Sequence, residues 1–302
     1  MDRDLLAHLP VIIAVARRGG FAAAAAELNM SPSAVSHAVR LVEDRLGTPL
    51  FTRTTRSVAV TEAGQALIEA AEPALREIDE RIERVKAAKG RVSGLLRLNV
   101  PSMSVPIAIT PVVRAMAKRF PDVTVELFVD DALTDIVAGS FDAGVRLGEM
   151  IALDMVTVRL TPPFKTIIVA SPDYLTAQGR PTAIADLARH NCIGYRMATA
   201  GNLYRWDLND GKRVVAIDVS GSAIVSTTVY ARELALAGVG LAYIFEPLVR
   251  ADIAAGRLTQ VLPRTALEMP GLFLYYPARA AMAPKLRAFI DTARDILRSR
   301  GR

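Results

Sequence analysis

Ser31-Pro32-Ser33-Ala34-Val35-Ser36-His37-Ala38-Val39-Arg40 decides the reading of the first sixty residues. Ser31 suits a helix N-cap, because its hydroxyl can accept an orphan backbone N–H, and Pro32 suits the first helical position, where its fixed φ costs nothing. The helix that follows has two faces. Val35, Val39, Val42 and Leu46 recur at spacings of four, three and four and form a buried stripe. Ser33, His37, Arg40 and Asp44 recur likewise on another face, with Ser36 beside them. Short polar side chains around one arginine let a helix enter a DNA major groove without steric conflict. Upstream, Phe21, Ala25 and Leu28 mark a short helix that ends before Asn29-Met30. A short helix, a tight turn and a second helix with small outward polar groups make a helix-turn-helix.

The stretch from Arg18-Gly-Gly-Phe-Ala-Ala-Ala-Ala-Ala-Glu-Leu28 through Ser31–Arg40, Leu46-Gly-Thr-Pro-Leu-Phe51 and Thr61-Glu-Ala-Gly64 resembles the LysR-type transcriptional regulators. The family usually has serine where Gly20 stands; glycine still serves as an N-cap, so the change weakens the helix start only slightly. On the residues alone, an alanine-rich core helix followed by a surface helix is the competing reading.

A length of 302 residues suggests two or three structural units, and a hydrophobic share of 51% supports a sizeable core. The net charge is +6, yet residues 1–61 carry seven arginines against five acidic residues, so bulk basicity does not identify a nucleic-acid partner. The local clue is better: Arg40, Arg53 and Arg56 lie where the motif would face phosphate. The single cysteine, Cys192, excludes an internal disulfide framework and fits a reducing, cytoplasmic setting. Leu5–Ala16 is apolar, but Asp2 and Asp4 spoil the positive region that a signal peptide needs, and no apolar run is long enough to span a bilayer.

Leu5, Leu9, Ile12 and Ala16 predict a first helix, and Gly47 a C-terminal stop for the recognition helix. Leu50–Arg53 and Ser57–Val60 bracket Thr54-Thr55-Arg56 as a two-stranded wing, whose Arg53 and Arg56 either grip DNA backbone and minor groove or sit on a solvated hairpin tip. Residues 62–89 read as one long helix after an N-capping Thr61. Leu67, Ala71, Ala74, Ile78, Ile82 and Val85 form a near-heptad stripe, which either meets a second copy of itself or packs on its own domain, the latter favoured by Pro73. The resemblance implies the dimerising role. Beyond the hinge at Gly90–Gly94 strands alternate with helices, as in a parallel sheet, and Asn209-Asp-Gly211 signals a hairpin. The expected architecture is α/β overall: an N-terminal winged helix-turn-helix (1–61), a long linker helix (62–90), and a two-lobed α/β effector-binding domain (91–302). The resemblance likens that domain to the type 2 periplasmic binding proteins, with lobe one at 91–161 and 267–302 and lobe two at 162–266.

Open parallel sheets bind ligands beyond the carboxyl ends of their strands, beside helix N-termini. Pro101-Ser102-Met103-Ser104 and Ser226-Thr227-Thr228 both meet that description, each offering hydroxyls and free N–H groups. Each residue taken singly reads equally well as an ordinary cap; the resemblance favours the pair as a seat for an effector carboxylate. Arg146, after a strand, is a candidate carboxylate partner unless it satisfies Asp142 or Glu149, and Arg196 to Thr199 form a further candidate lining. The residues expected at DNA are Ser31, Pro32, Ser33, Ser36, His37, Arg40, Arg53 and Arg56. Those expected at a small anionic effector are Ser102, Met103, Ser104, Arg146, Arg196, Thr199, Thr227 and Thr228.

No cofactor or metal is expected, because His8, His37 and His190 are far apart in sequence and no cluster has metal-ligand spacing. Gly238-Val-Gly240 opens a strand rather than following one, with Tyr243 in the third glycine's place, so no dinucleotide fingerprint stands. An enzyme and a plain solute-binding protein are therefore the weaker readings. The resemblance implies a double-stranded operator, a homodimer that pairs into a tetramer, and contact with RNA polymerase or a change in DNA bend as partners and outputs.

Overall fold

The structure is a computed structural model that describes residues 3–53, 58–87, 91–137, 139–151, 154–278, 280 and 283–300. The chain divides into two units, Met1–Val85 and Lys86–Arg302. In the first, α1 (Arg3–Arg18), α2 (Phe21–Leu28) and α3 (Pro32–Leu46) precede the antiparallel pair β1 (Phe51–Arg53) and β2 (Val58–Val60), and α4 (Glu62–Ala87) leads out. The core joins Ile12 and Val15 of α1, Ala24 and Ala25 of α2, and Val35, Ala38, Val39 and Val42 of α3 to Leu50, Phe51 and Ile68. Leu46, expected in the buried stripe of α3, is 43% exposed; the helix has passed the core by its last turn, and Ala38 takes the remaining buried place.

The turn between α2 and α3 is made by Asn29, which adopts a left-handed φ of 54° and donates its N–H to the Ala25 carbonyl. Asparagine tolerates that conformation better than most side chains. Gly20 caps α2 in extended backbone without a side-chain hydrogen bond, as its lack of a hydroxyl requires. At the far end of α3, Gly47 takes φ of 65°. The Glu43 carboxylate accepts the N–H groups of Leu50 and Phe51 at 2.8 and 3.1 Å and so fastens the wing to α3. Thr61 begins α4 by accepting the Gly64 N–H at 3.1 Å and donating to the Pro49 carbonyl. A Cβ at Gly64 would lie 2.3 Å from the Leu50 carbonyl oxygen, which accounts for glycine in that motif. At the α1–α2 junction, Glu27 clasps both Arg17 and Arg18. Burial would raise the Glu27 carboxyl, but the two guanidiniums hold it below the usual range.

The stripe of the long helix has a packed half and an exposed half. Leu67, Ala71 and Leu75 pack on Leu9 and Ile13 of α1, while Ile78, Ile82 and Val85 are 54%, 47% and 66% exposed.

In the second unit, β3 (Gly94–Val100) leads through a π-helical turn (Val105–Ile109) into α5 (Thr110–Arg119), then β4 (Val123–Val129), β5 (Ala143–Leu147) and β6 (Met155–Arg159). The chain then builds a second lobe from β7 (Phe164–Ala170), α6 (Pro172–Gln178), β8 (Gly194–Tyr195), β9 (Trp206–Asn209), β10 (Val214–Ile217), β11 (Ile224–Val225), α7 (Thr228–Leu236), β12 (Ala242–Phe245), α8 (Glu246–Ala254), β13 (Thr259–Val261) and β14 (Leu267–Met269). It returns through β15 (Leu272–Pro277) and closes with α9 (Pro284–Arg300).

The first sheet has the order β4-β3-β5-β15-β6. Only β4, β3 and β5 are parallel; β15 is antiparallel to both β5 and β6. In the second sheet β12, β13 and β14 all run antiparallel to β7. The expected parallel sheet therefore holds for β4, β3 and β5 and for the short pair β8–β11, while the strands that come late in each sheet run antiparallel. The return to the first lobe also comes later than residue 267, since Leu267–Met269 pair with Phe164–Thr166 and β15 is the first returning strand to join the first sheet. β7 is buried on both faces: Ile167 and Val169 join one cluster, Ile168 and Ala170 another.

Cys192 lies in the second of these clusters at 1% exposure, and burial pushes its thiol up to about 12. Such a thiol is inert as a nucleophile near neutral pH. Asp252 at the end of α8 is shut off from solvent and takes Arg232 Nε of α7 at 2.6 Å and Arg257 on its other oxygen. Burial by itself would raise this carboxyl, but the two guanidiniums hold it below the ordinary aspartate value.

Candidate functional site

The first candidate surface is the outward face of α3. Ser31 Oγ accepts the Ala34 N–H at 3.1 Å and shares a 2.9 Å hydrogen bond with Ser33 Oγ, which fixes the entry to the helix. Ser31, Pro32, Ser33, His37, Arg40 and Asp44 are exposed, and Ser36 is half-buried. His37, Arg40, Leu41, Asp44 and Arg45 line an open depression of about 390 Å³. The expected row of polar groups around one arginine is thus presented to solvent, with its apolar opposite in the core. The side chain of Arg53, and Arg56 as a whole, lie outside the described residues.

The second candidate lies where the lobes of the second unit touch. Thr227 caps α7 by accepting the Val229 N–H at 3.1 Å, and its hydroxyl is 2.7 Å from that of Ser102. Ser102 in turn is held by Asp131: its N–H goes to Oδ1 and its hydroxyl to Oδ2, both at 2.7 Å. Because the Ser102 proton is committed to Asp131, Thr227 donates to Ser102. A chain of hydrogen bonds therefore runs from α7 of one lobe to a carboxylate of the other. Thr199 makes a second bridge, accepting the Leu133 N–H at 2.8 Å.

Arg146 is 3% exposed and donates to the carbonyls of Val145 and Ala132 and to Asn99 Oδ1. It does not pair with Asp142 among the described contacts; Asp142 receives Lys285 Nζ at 3.3 Å instead, and the side chain of Glu149 lies outside the described residues. Burial lowers the affinity of this guanidinium for its proton, opposed by the nearby Tyr275, Asp130 and Asp131. The Tyr195 hydroxyl is pushed up by burial and by Asp131.

Three other expected contacts are engaged within the chain itself. Met103 is 5% exposed and packs in the first lobe's core, because the turn after β3 folds its side chain beneath the sheet. Ser104 is fully buried, and its hydroxyl donates to the Pro101 carbonyl, closing that turn. Arg196 is exposed and spends its Nη1 on the Gly201 carbonyl of its own loop. Thr228 is the first residue of α7 and half-buried. The sequence reading missed Asp131 and Asn99. The parallel register carries the signal for Asp131: Val100 lies opposite Val129, so the second residue past each strand meets the other.

Among the described residues no helix is long and apolar enough to cross a membrane. Residues 6–65 match the model for a bacterial regulatory helix-turn-helix protein of the lysR family, and residues 89–298 match the LysR substrate binding domain. The HTH-type transcriptional regulator PgrR of Escherichia coli is 36% identical over 96% of this chain and 97% of its own length. CrgA, a LysR-type transcriptional regulator from Neisseria meningitidis, is 27% identical in a structure covering 96% of this chain and 98% of its own, with a TM-score of 0.63. The full-length structure of the Vibrio cholerae virulence activator AphB, at 22% identity and a TM-score of 0.67, covers 98% of this chain and 99% of its own and shares the fold. These relatives are regulators and not enzymes. The chain belongs to the LysR family of transcriptional regulators, with a DNA-binding helix-turn-helix followed by an effector-binding domain.

Proposed function

We propose that the chain is a homodimeric, sequence-specific regulator that reads an interrupted inverted repeat and is controlled by a small anionic effector held between its lobes. Residues 1–61 serve as the DNA-reading head, 62–90 as the dimerising linker and 91–302 as the sensor. Ser31, Pro32, Ser33, Ser36, His37 and Arg40 meet the duplex, with Arg53 and Arg56 of the wing beside them. Ser102, Thr227 and Arg146 carry effector recognition, flanked by Thr199 and Thr228. The output is altered placement of the two heads, read as a changed DNA bend or contact with polymerase, in the cytoplasm. The observation that carries this reading is the 2.7 Å hydrogen bond between Ser102 and Thr227, which puts a hydroxyl preceding a helix in each lobe at one point. A ligand that binds there has differential affinity for touching and parted lobes, the only way it can shift their balance.

Two expected results test the two surfaces. Arg40→Ala costs about 1–3 kcal/mol of operator binding and relaxes preference at one base position if Arg40 reads a base edge. Selection on random operators with both proteins measures this; unchanged affinity and preference would remove α3 from the interface. Ser102→Ala and Thr227→Ala each bring the ratio of reporter output with and without effector toward one. The assay is a reporter on the chain's own operator, screened against small carboxylates, and a normal ratio in both variants refutes the interlobe site.

A further inference from the structure

The seat at Ser102 is already filled by the chain itself. Asp131 takes both donors of Ser102, the N–H and the hydroxyl, at 2.7 Å each. The next residue, Ala132, offers its carbonyl to Arg146 Nη2 at 2.8 Å, and Leu133 donates its N–H to Thr199 Oγ1 in the other lobe at 2.8 Å. Three consecutive residues thus present a carboxylate, a carbonyl and an N–H to groups on both lobes, as a small polar ligand would. Asp130 shapes the segment, accepting the Ala132 N–H at 2.9 Å and the Thr134 hydroxyl at 2.8 Å.

One donor at this junction is left over. Asn99 is fully buried, and its Nδ2 has no hydrogen-bond partner, although its Oδ1 accepts at 2.6 Å from the same Arg146 Nη2 that Ala132 engages. Reversing the carboxamide would set an N–H2 against the guanidinium, so the orphan is a donor. Buried polar groups are nearly always partnered, and one that is not asks for an explanation. The segment satisfies this junction incompletely, and the missing element is an acceptor.

We propose that Asp131–Leu133 is an internal ligand of the sensor, and that the effector is a small carboxylate with a second oxygen acceptor. Its carboxylate takes the Ser102 seat from Asp131, and its second oxygen reaches Asn99 and Arg146. This rests on the interlobe reading above. The exchange replaces one carboxylate by another at Ser102, so the seat keeps its charge. The displaced segment gives up the Leu133–Thr199 bridge, which turns occupancy of one seat into loss of a contact between lobes. Asp130 and Asp131 also discourage any anion that cannot make the second contact.

The test is chemical rescue. Full-length Asp131→Ala is titrated with sodium acetate, sodium chloride holding the ionic strength constant, and followed by thermal denaturation and by hydrogen exchange around Ser102 and Leu133. Acetate at about tenfold excess over its dissociation constant raises the melting temperature of the variant by about 2–4 °C and slows exchange at Ser102, with no such effect on the unaltered chain. An equal acetate response in both proteins overturns the internal ligand. Should Asp131→Ala fail to fold, Asp131→Asn keeps the side-chain volume and one acceptor; its Ser102 amide exchanges several-fold faster than in the unaltered chain, and an unchanged rate overturns the proposal. Rescue by acetate together with a normal effector response in both Ser102→Ala and Thr227→Ala discards the interlobe reading, and with it the exchange. A lost response without rescue keeps that reading and discards the internal ligand.

Discussion

A chain carrying Ile78→Asp and Ile82→Asp sediments as a monomer and loses its operator. The upstream half of α4 is already consumed by its own domain, where Ala71 meets Leu9 and Ile13. The downstream half is not: Ile78 and Ile82 stand about half exposed within the chain. Burying the remainder of each isoleucine against a second copy contributes on the order of 1 kcal/mol, from the usual 1.5–3 kcal/mol for a whole side chain. Placing carboxylates in the seam reverses that gain and adds like-charge repulsion. Loss of the dimer turns a two-head contact into a single one, and losing the second head's effective concentration costs about 10²–10⁴ in operator affinity. Glu77 and Arg81, paired at 3.1 Å beside the stripe, are left intact, so the helix itself is spared. Sedimentation and a gel-shift series measure the two effects, and an unchanged oligomer would mean that the stripe has no partner outside its own chain.

Asp252→Ala destabilises the second unit by about 2–4 kcal/mol at neutral pH. Removing one member of a fully buried ion pair costs about 3–5 kcal/mol; the lower figure reflects the solvent access of Arg257, whose side chain is 58% exposed. The carboxylate joins Arg232 on α7 to Arg257 beyond α8, so its loss frees two helices at once. The sign of the pH dependence follows from its lowered folded pKa. The contribution is complete above the ordinary aspartate value of about 3.9 and is lost as the pH falls through the depressed one. Denaturant melts of both proteins at pH 7 and at about pH 2–3 measure this; a stability gap that persists undiminished in acid would rule out the ion pair as its source.

The helix-turn-helix was legible because its signals are local. A cap, a turn residue and a stripe each follow from chemistry within a few residues, and Ser31, Asn29 and Val39 sit as that chemistry requires. Leu46 failed because periodicity says which face it shares but not where the neighbouring helix ends. The sheet directions failed for a similar reason. Alternation of strands and helices resembles a parallel sheet, while β15 owes its direction to a chain that leaves one lobe and returns, and β12–β14 to pairing with β7 across long stretches of chain, which no window of sequence contains. At the sensor, the hydroxyls at Ser102 and Thr227 were read from their places before helices, and the structure brings them together. Met103 and Ser104 share that place in sequence, but a turn points successive side chains in different directions, and these two point inward. Asp131 is 29 residues from Ser102, and only the pairing of β3 with β4 makes them neighbours.

The clasp of Glu27 on Arg17 and Arg18 bears on how the molecule senses ionic strength. Residues 1–85 carry ten arginines, no lysine and twelve acidic residues, so the first unit has a net negative charge although its first 61 residues are at +2 and the whole chain is at +6. Two of those arginines are committed to Glu27 inside the head and are not offered to phosphate. Salt weakens a DNA complex in proportion to the number of phosphates neutralised and counterions released. With few cations left for that purpose, the head gains little from indiscriminate attraction to the duplex and owes more of its hold to the fit of α3 against bases. The expected result is weak binding to random DNA and a shallow loss of operator affinity as salt rises, read from a salt titration of both complexes.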